Sequence, residues 1–331
     1  MISTDIYKEI FGIIEKELAQ LPLPDQPHSL YDPVRYTLEL GGKRIRPYFT
    51  LMACGLCGGE IEEAAPAATA IELLHNFTLL HDDIMDAAPT RRGKESVYKK
   101  WDSSIAILSG DAMYAWAFER LQYYGENSRF SKKQYASIID IFIESAKLVC
   151  EGQAYDLDFE GKPKMGLDRY LKMIKGKTAA LIAGSFKIGG KVAEAGEQEI
   201  KVLGETGEQI GIGFQIQDDL LDISADPEQF GKEKAGDILE RKKTYLFTLA
   251  LQKSNEEQKR ELTGIFEQEK ITEADVERVT EIYKQQNIFA TAREAVNYYY
   301  DQGIENIKTF SDSTYKAELI KFLISLKNRE Y

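Results

Sequence analysis

Few prolines interrupt the helical periodicity of this chain, and that constrains its fold more than any other feature. Seven of its nine prolines, Pro22, Pro24, Pro27, Pro33, Pro47, Pro66 and Pro89, fall before residue 100, so little can break a helix in the remaining two thirds. The opening segment shows the pattern. Ser3 and Thr4 are capping residues ahead of Ile6, Ile10, Ile14 and Leu18, and Pro22, Pro24 and Pro27 stop the helix. The same spacing predicts helices over 64–86, 109–121, 131–152, 167–188 and 197–222. From Asn255 onward, charged amphipathic stretches such as 273–283 and 290–307 read as peripheral helices. Strand-like alternation is scarce. The expectation is an all-α fold, a single large bundle of long helices joined by short loops. No Pro/Gly/Ser-rich linker or composition shift divides the 331 residues, which predicts one domain over 1–331.

Charge and cysteine content remove several function classes. With 54 acidic and 42 basic residues the net charge is -12, which argues against nucleic acid as a partner, so any phosphate must be bound locally. Three cysteines are too few for a disulfide framework or a Cys₄ zinc site, and Cys54-Gly-Leu-Cys57 follows a helical run with no βαβ pattern, so both read as small core residues. The N-terminus has neither a basic n-region nor an apolar h-region. No uncharged apolar run approaches about 18 residues, and a cytoplasmic protein without an integral membrane segment is expected.

The chemistry concentrates in two aspartate clusters. Asp82-Asp83-Ile84-Met85-Asp86 and Asp218-Asp219-Leu220-Leu221-Asp222 are both D-D-x-x-D, where the frequency of Asp alone gives about 0.07 matches. An acidic triplet on its own is usually a solvated helix face. Here Leu79 and Leu80 precede the first, and Phe214, Ile216, Leu220 and Leu221 surround the second, placing each on an otherwise apolar helix. Asp82 with Asp86, and Asp218 with Asp222, project from one face a turn apart and can each grip a cation. Carboxylates at such separations repel by roughly 1–4 kcal/mol unless neutralised, and all-oxygen ligation completed by water or phosphate points to Mg²⁺ over Ca²⁺. The polar stripes continue through Glu72, His75 and Thr78 and through Gly211 and Gln215. Gly207, Gly211 and Gly213 weaken a helix interior, so close packing or room for a substrate must compensate.

Basic residues lie near the acidic ones. Gly41-Gly42-Lys43-Arg44-Ile45-Arg46-Pro47 and Arg91-Arg92-Gly93-Lys94 form compact patches that suit phosphate, and Lys177-Thr178, Phe230-Gly231-Lys232 and Lys242-Lys243-Thr244 add cations beside hydroxyl or glycine residues.

In order and spacing, G-G-K-R-I-R-P at 41–47, H-D-D-I-M-D-A-A-P-T-R-R-G at 81–93, Lys177-Thr178, and G-F-Q-I-Q-D-D-L-L-D at 213–222 resemble the trans-type polyprenyl synthetases, the family of farnesyl and geranylgeranyl diphosphate synthases. The resemblance implies an all-helical homodimer of the isoprenoid synthase type, with the two motifs facing each other across a deep central cavity. It implies three Mg²⁺ ions, with Mn²⁺ as a substitute, and a reaction joining isopentenyl diphosphate to an allylic diphosphate. Asp82 and Asp86 would ligate two ions and Asp218 the third, with Asp83, Asp219 and Asp222 in or near the ligand sphere. Arg91, Lys177, Lys232 and Lys242 would hold the allylic diphosphate, and Lys43, Arg46, His75 and Arg92 the isopentenyl diphosphate. Thr178 and Gln215 would help stabilise the carbocation. Product length is implied at Phe77 and Thr78. Phe77 lies five residues before Asp82, roughly 7.5 Å along the helix axis, and helical spacing alone places it on the flank. An aromatic there, with Thr78 beside it and no insertion in the first motif, goes with geranylgeranyl diphosphate ahead of farnesyl diphosphate.

Other classes fit less well. A terpene cyclase would share the first motif but implies N/D-x-x-S/T-x-x-x-E for the second and needs no G-G-K-R patch. A diiron bundle needs a partner for Glu72-Leu-Leu-His75, and neither His28 nor His81 has Glu three residues earlier. A longer-chain synthase stays close to the favoured reading. A noncatalytic partner subunit should have eroded aspartates or basic patches, and none is eroded.

Overall fold

Amphipathic spacing becomes helix where its stripe can be buried, and the computed structural model describes this for residues 5–160, 166–224 and 235–329. In α1 (Asp5–Ala19) the buried stripe is Ile10, Ile14 and Leu18; the Ser3/Thr4 cap lies outside the described residues. α2 (His28–Glu39) follows the proline loop. α3 (Ile45–Leu56) is buried on nearly every side, as a core helix should be. α4 (Ala65–Met85) is buried from Ala65 to Leu74 and opens toward Asp82. Next come β1 (Thr90–Arg91), β2 (Lys94–Glu95) and α5 (Val97–Lys100). The two strands pair antiparallel, Thr90 with Glu95 and Arg91 with Lys94, and are the only sheet among the described residues.

α6 (Ser103–Glu126) starts where the Asp102 carboxylate accepts from the Ile105 N–H at 2.8 Å, and α7 (Lys132–Glu160) comes after it. The helix expected over 167–188 is present but interrupted. α8 (Leu167–Ile174) runs into a π turn at Lys175–Ala179 before α9 (Ala180–Val192). α10 (Glu197–Ser224) carries the second aspartate cluster. The remainder is α11 (Gly236–Leu239), α12 (Tyr245–Lys253), α13 (Glu256–Phe266), α14 (Glu273–Gln285), α15 (Ile288–Lys308) and α16 (Thr314–Lys327). Capping boxes at Asn255/Gln258 and Thr272/Asp275 start α13 and α14.

The chain forms two compact units, one from 1–146, 181–204 and 310–319, the other from 147–180, 205–309 and 320–331. In the first, Phe49 of α3 stacks on Phe186 of α9 with ring centres 4.6 Å apart. Cys54 and Cys57 belong to it, and burial pushes both thiols up to about 12, which keeps them protonated and unreactive. In the second, Tyr170, Phe247, Tyr283 and Tyr300 are almost wholly buried. No helix among the described residues is long and apolar enough to cross a membrane.

Candidate active site

In the first unit, the Gly41 to Pro47 segment divides its cations by role. Arg44 is the N-cap of α3, with a left-handed backbone at φ 44°, and its side chain is only 1% exposed. Its guanidinium donates to Glu72 at 2.7 Å, to Glu15 at 2.9 Å and to the Leu38 carbonyl at 2.9 Å. Glu72, 2% exposed, also accepts from Asn76 at 3.1 Å. Glu72 therefore leaves the polar stripe of α4 and anchors the basic loop from inside. Lys43, one residue before Arg44, is exposed, and Arg46, two residues after it, is half-buried with Nη1 3.1 Å from His75 Nε2. Burial, then the charges of Arg46, Arg92, Arg91 and Arg44, hold His75 well below the ordinary imidazole value, so it is neutral at pH 7 and accepts from Arg46. Thr78 donates to the His75 carbonyl at 2.8 Å.

The first aspartate cluster ends α4. Asp86 lies one residue past the helix, its N–H bonded to the Asp82 carbonyl at 2.8 Å, so the two remain one turn apart. Asp82 is half-buried and Asp86 exposed. Asp83 points elsewhere: it is buried and paired with Arg91, whose Nε donates at 2.9 Å and whose Nη2 reaches the same oxygen. Burial pushes the Asp83 carboxyl up, and Arg91 opposes that. Arg92 Nη1 donates to the Gly41 carbonyl, which ties the loop after the first cluster to the Gly41 to Pro47 segment. Arg91, Arg92, Asp83 and Asn76 also line a small hollow with Thr37, Leu40 and Val97.

Phe77 heads an aromatic stack. Its ring lies 5.2 Å from Tyr114 of α6 and 4.6 Å, edge-on, from His81, and behind it Tyr114 meets Phe118 at 5.2 Å and Phe142 at 6.4 Å. A Cβ at Gly110 would lie 2.6 Å from His81 Nε2, so this glycine admits the His81 ring.

The second unit holds the other cluster on α10, and its three carboxylates differ. Asp219 is buried, accepting from the Tyr170 hydroxyl at 2.5 Å, the Tyr245 N–H at 2.8 Å and Gln215 Nε2 at 3.0 Å. Burial pushes its carboxyl up to about 6, against those three hydrogen bonds. Asp222 is buried and accepts from the Asp237 N–H at 2.9 Å. Asp218, 36% exposed, pairs with Arg329. Gln215 Oε1 accepts from Thr178 at 2.8 Å, giving the chain Thr178, Gln215, Asp219, Tyr170.

Lys177 and Thr178 belong to the π turn, with Lys177 Nζ on Asp156 at 2.6 Å. A Cβ at Gly152 would lie 2.0 Å from the Lys177 N, and one at Gly211 would lie 2.4 Å from the Ala179 Cα. Close packing thus accounts for Gly211. Lys242 is about half exposed and pairs with Glu240 at 2.5 Å, and Lys232 lies outside the described residues.

Among the described residues no three His, Cys, Asp or Glu side chains form a ready-made metal cage. Mg²⁺ seldom uses one; it takes one or two carboxylates and completes its shell with water and substrate phosphate. Asp82 with Asp86, and Asp218, are hard oxygen donors that fit this, whereas Asp83 and Asp219 are held inward.

A sequence model of the polyprenyl synthetases matches residues 27–283. The chain belongs to the polyprenyl synthetase family. It is a prenyltransferase with the family's all-α fold. It is 40% identical to the short chain isoprenyl diphosphate synthase of Methanocaldococcus jannaschii, over 84% of this chain and 82% of that protein. It is 34% identical to the geranylgeranyl diphosphate synthase of Methanosarcina mazei, over 100% of this chain and 99% of that protein. The crystal structure of geranylgeranyl pyrophosphate synthetase from Pyrococcus horikoshii superimposes with a TM-score of 0.90 at 32% identity, covering 98% of this chain and all of the other.

Motif reading of this polyprenyl synthetase passed over Glu15, Asp156, Tyr170 and Arg329, which hold motif residues, and gave Arg44 and Glu72 no anchoring role. Only Arg44 and Glu72 lay within a recognised pattern. The others pair across 21 to 111 residues of chain, with no signal in local spacing.

Proposed function

We propose that this polyprenyl synthetase makes geranylgeranyl diphosphate, with farnesyl diphosphate as the shorter product, by adding isopentenyl diphosphate to dimethylallyl, geranyl or farnesyl diphosphate. The observation that carries the product length is the aromatic stack: Phe77, one turn before His81 on α4, is backed by Tyr114, Phe118 and Phe142 and cannot swing away to admit a longer chain. The curated relatives named geranylgeranyl diphosphate synthases support the same reading.

Asp82, Asp86 and Asp218 hold Mg²⁺, with Asp83 and Asp222 fixing their surroundings, and Mn²⁺ can substitute. When bound, the metal supplies the positive charge that stabilises the departing pyrophosphate. Lys177, Arg91, Lys232 and Lys242 bind the allylic diphosphate. Lys43, Arg46 and Arg92 bind isopentenyl diphosphate as cations, and His75 contributes as a neutral hydrogen-bonding partner. The allylic C–O bond breaks with its electron pair leaving on pyrophosphate, the isopentenyl double bond attacks the allylic carbon, and pyrophosphate takes the proton then lost. The Thr178 hydroxyl, its proton committed to Gln215, presents oxygen lone pairs to the developing positive charge.

The protein works as a cytoplasmic homodimer of single polyprenyl synthetase domains. Exposed Ile107 and Leu108 on α6 and Ile143 on α7 supply an apolar face for the second copy. Incubation with labelled isopentenyl diphosphate and each primer, followed by chromatography of the dephosphorylated products, tests the reading. Geranylgeraniol is expected, with no turnover in excess chelator; a longer alcohol as main product, or turnover that survives chelation, refutes it.

A further inference from the structure

The second aspartate cluster carries a cation to which the proposed reaction gives no task. Arg329, in the segment after α16, donates from Nη2 to Asp218 Oδ1, and its side chain is 10% exposed. Its guanidinium carbon lies 4.9 Å from the centre of the Phe214 ring, within cation-π range. The backbone is tied down as well: Gln217 Nε2 donates to the carbonyls of Lys327 at 3.0 Å and Arg329 at 3.1 Å. The Tyr300 hydroxyl donates to Gln217 Oε1 at 3.4 Å, and Lys327 pairs with Asp301 at 2.7 Å. Phe214, Gln217 and Asp218 are three and four residues apart, so one face of α10 grips the segment. The grip is incomplete, because Arg329 Nε is buried with no hydrogen-bond acceptor among the described residues. A desolvated donor left unsatisfied weakens the state that contains it.

We infer that Arg329 is a stand-in cation: it neutralises Asp218 in the metal-free enzyme and must release it before Asp218 takes up its Mg²⁺ with the diphosphate. The inference rests on the proposed reading of Asp218 as a metal ligand. A guanidinium and a divalent cation compete for the same carboxylate oxygens, so the pair lowers metal affinity by whatever free energy it contributes. Burial makes this pair stronger than an exposed one, while its single-point contact and orphan Nε make it weaker than a bidentate fork. That combination suits a contact that exchanges. α10 thereby keeps a positive partner at Asp218 whether empty or loaded.

Calorimetric titration of the full chain with Mg²⁺ at fixed inorganic pyrophosphate reads the exchange without turnover. Arg329→Met keeps the stem over Phe214 and removes the charge. It should tighten binding about tenfold, within the coupling range for members of one ion-pair network. Asp218→Asn should weaken binding, and adding Arg329→Met to it should bring no gain. Unchanged or weaker binding in Arg329→Met, beside weaker binding in Asp218→Asn, overturns the inference and leaves Asp218 as a ligand. Unchanged binding in Asp218→Asn removes the metal reading beneath it. Hydrogen exchange on the unaltered protein gives a second reading should the variant not fold. Amides of 325–329 should lose protection when Mg²⁺ and pyrophosphate are added, and constant or greater protection overturns the inference.

Discussion

Removing the Glu72 carboxylate should separate the stability of the first unit from its proposed hold on isopentenyl diphosphate. Arg44 and Glu72, 1% and 2% exposed, meet at 2.7 Å, and the other carboxylate on Arg44, Glu15, is more than half exposed. Glu72→Ala therefore leaves a guanidinium in the interior with one solvated partner and the Leu38 carbonyl. Breaking a buried pair from one side costs about 3–5 kcal/mol, the upper end of what one substitution does. Replacing both partners by apolar residues of similar size is often neutral, so Arg44→Met with Glu72→Met should recover most of that loss. Recovery should not extend to substrate binding. The left-handed backbone of Arg44 is held by this pair, and Lys43 and Arg46 take their positions from it, so both variants should show KM for isopentenyl diphosphate raised by about tenfold with kcat much less changed. Urea unfolding at pH 7.5 and initial rates over a range of isopentenyl diphosphate measure the two effects. A loss below about 1 kcal/mol in Glu72→Ala would show that water or Glu15 already satisfies Arg44. A double variant with unchanged KM would show that Lys43 and Arg46 do not depend on the anchor.

Three further outcomes are expected. Phe77→Ala should lengthen the product by an isoprene unit or more while activity survives, with Tyr114 as the next stop; chromatography showing an unchanged product would place the length limit elsewhere. Asp82→Ala should lower turnover by several orders of magnitude with the circular-dichroism spectrum of the folded chain intact, as for a group acting in the transition state, and near-normal rates would make Asp82 an ordinary surface residue. Asp219, whose carboxyl is pushed up to about 6, binds its proton more tightly folded than unfolded. Its penalty therefore grows as pH rises from about 4 through the raised value near 6. In metal-free buffer the stability of the native protein relative to Asp219→Asn should fall between pH 5 and 7.5, and a pH-independent difference in urea midpoints would contradict it.

Much of the helical content was legible because apolar stripes such as Ile10, Ile14 and Leu18 need no partner to declare their period. The π turn was not. Lys175 to Ala179 has unremarkable helical spacing, and what fixes the turn is contact with Gly152 and Gly211, residues more than twenty positions away. The aspartate clusters were legible as clusters, yet spacing could not show that each contains unlike members. Asp83 and Asp219 turn inward because Arg91 and Tyr170 meet them there, while Asp82, Asp86 and Asp218 stay accessible. The basic patch at 41–47 misled in the same way: three cations within four positions look alike in sequence, and the buried Glu72 singles out Arg44.

The π turn also makes residue count part of this protein's function. Such a turn holds one residue more than an α-helical turn, so deleting any one position between 175 and 179 would let the chain heal into a regular helix. Five residues at the wider π pitch sweep about the same angle as four at 100° each, so the residues on either side of the turn would keep their register along the helix. Tyr170 and Thr178 bond to Asp219 and Gln215, four residues apart on α10, and a deletion in α8 between Tyr170 and the turn, with no extra residue to give up, would rotate Tyr170 by about 100° away from Asp219. A scan of single-residue deletions should therefore find this turn more forgiving of the helix register than α8 beside it, because only the turn carries a supernumerary residue.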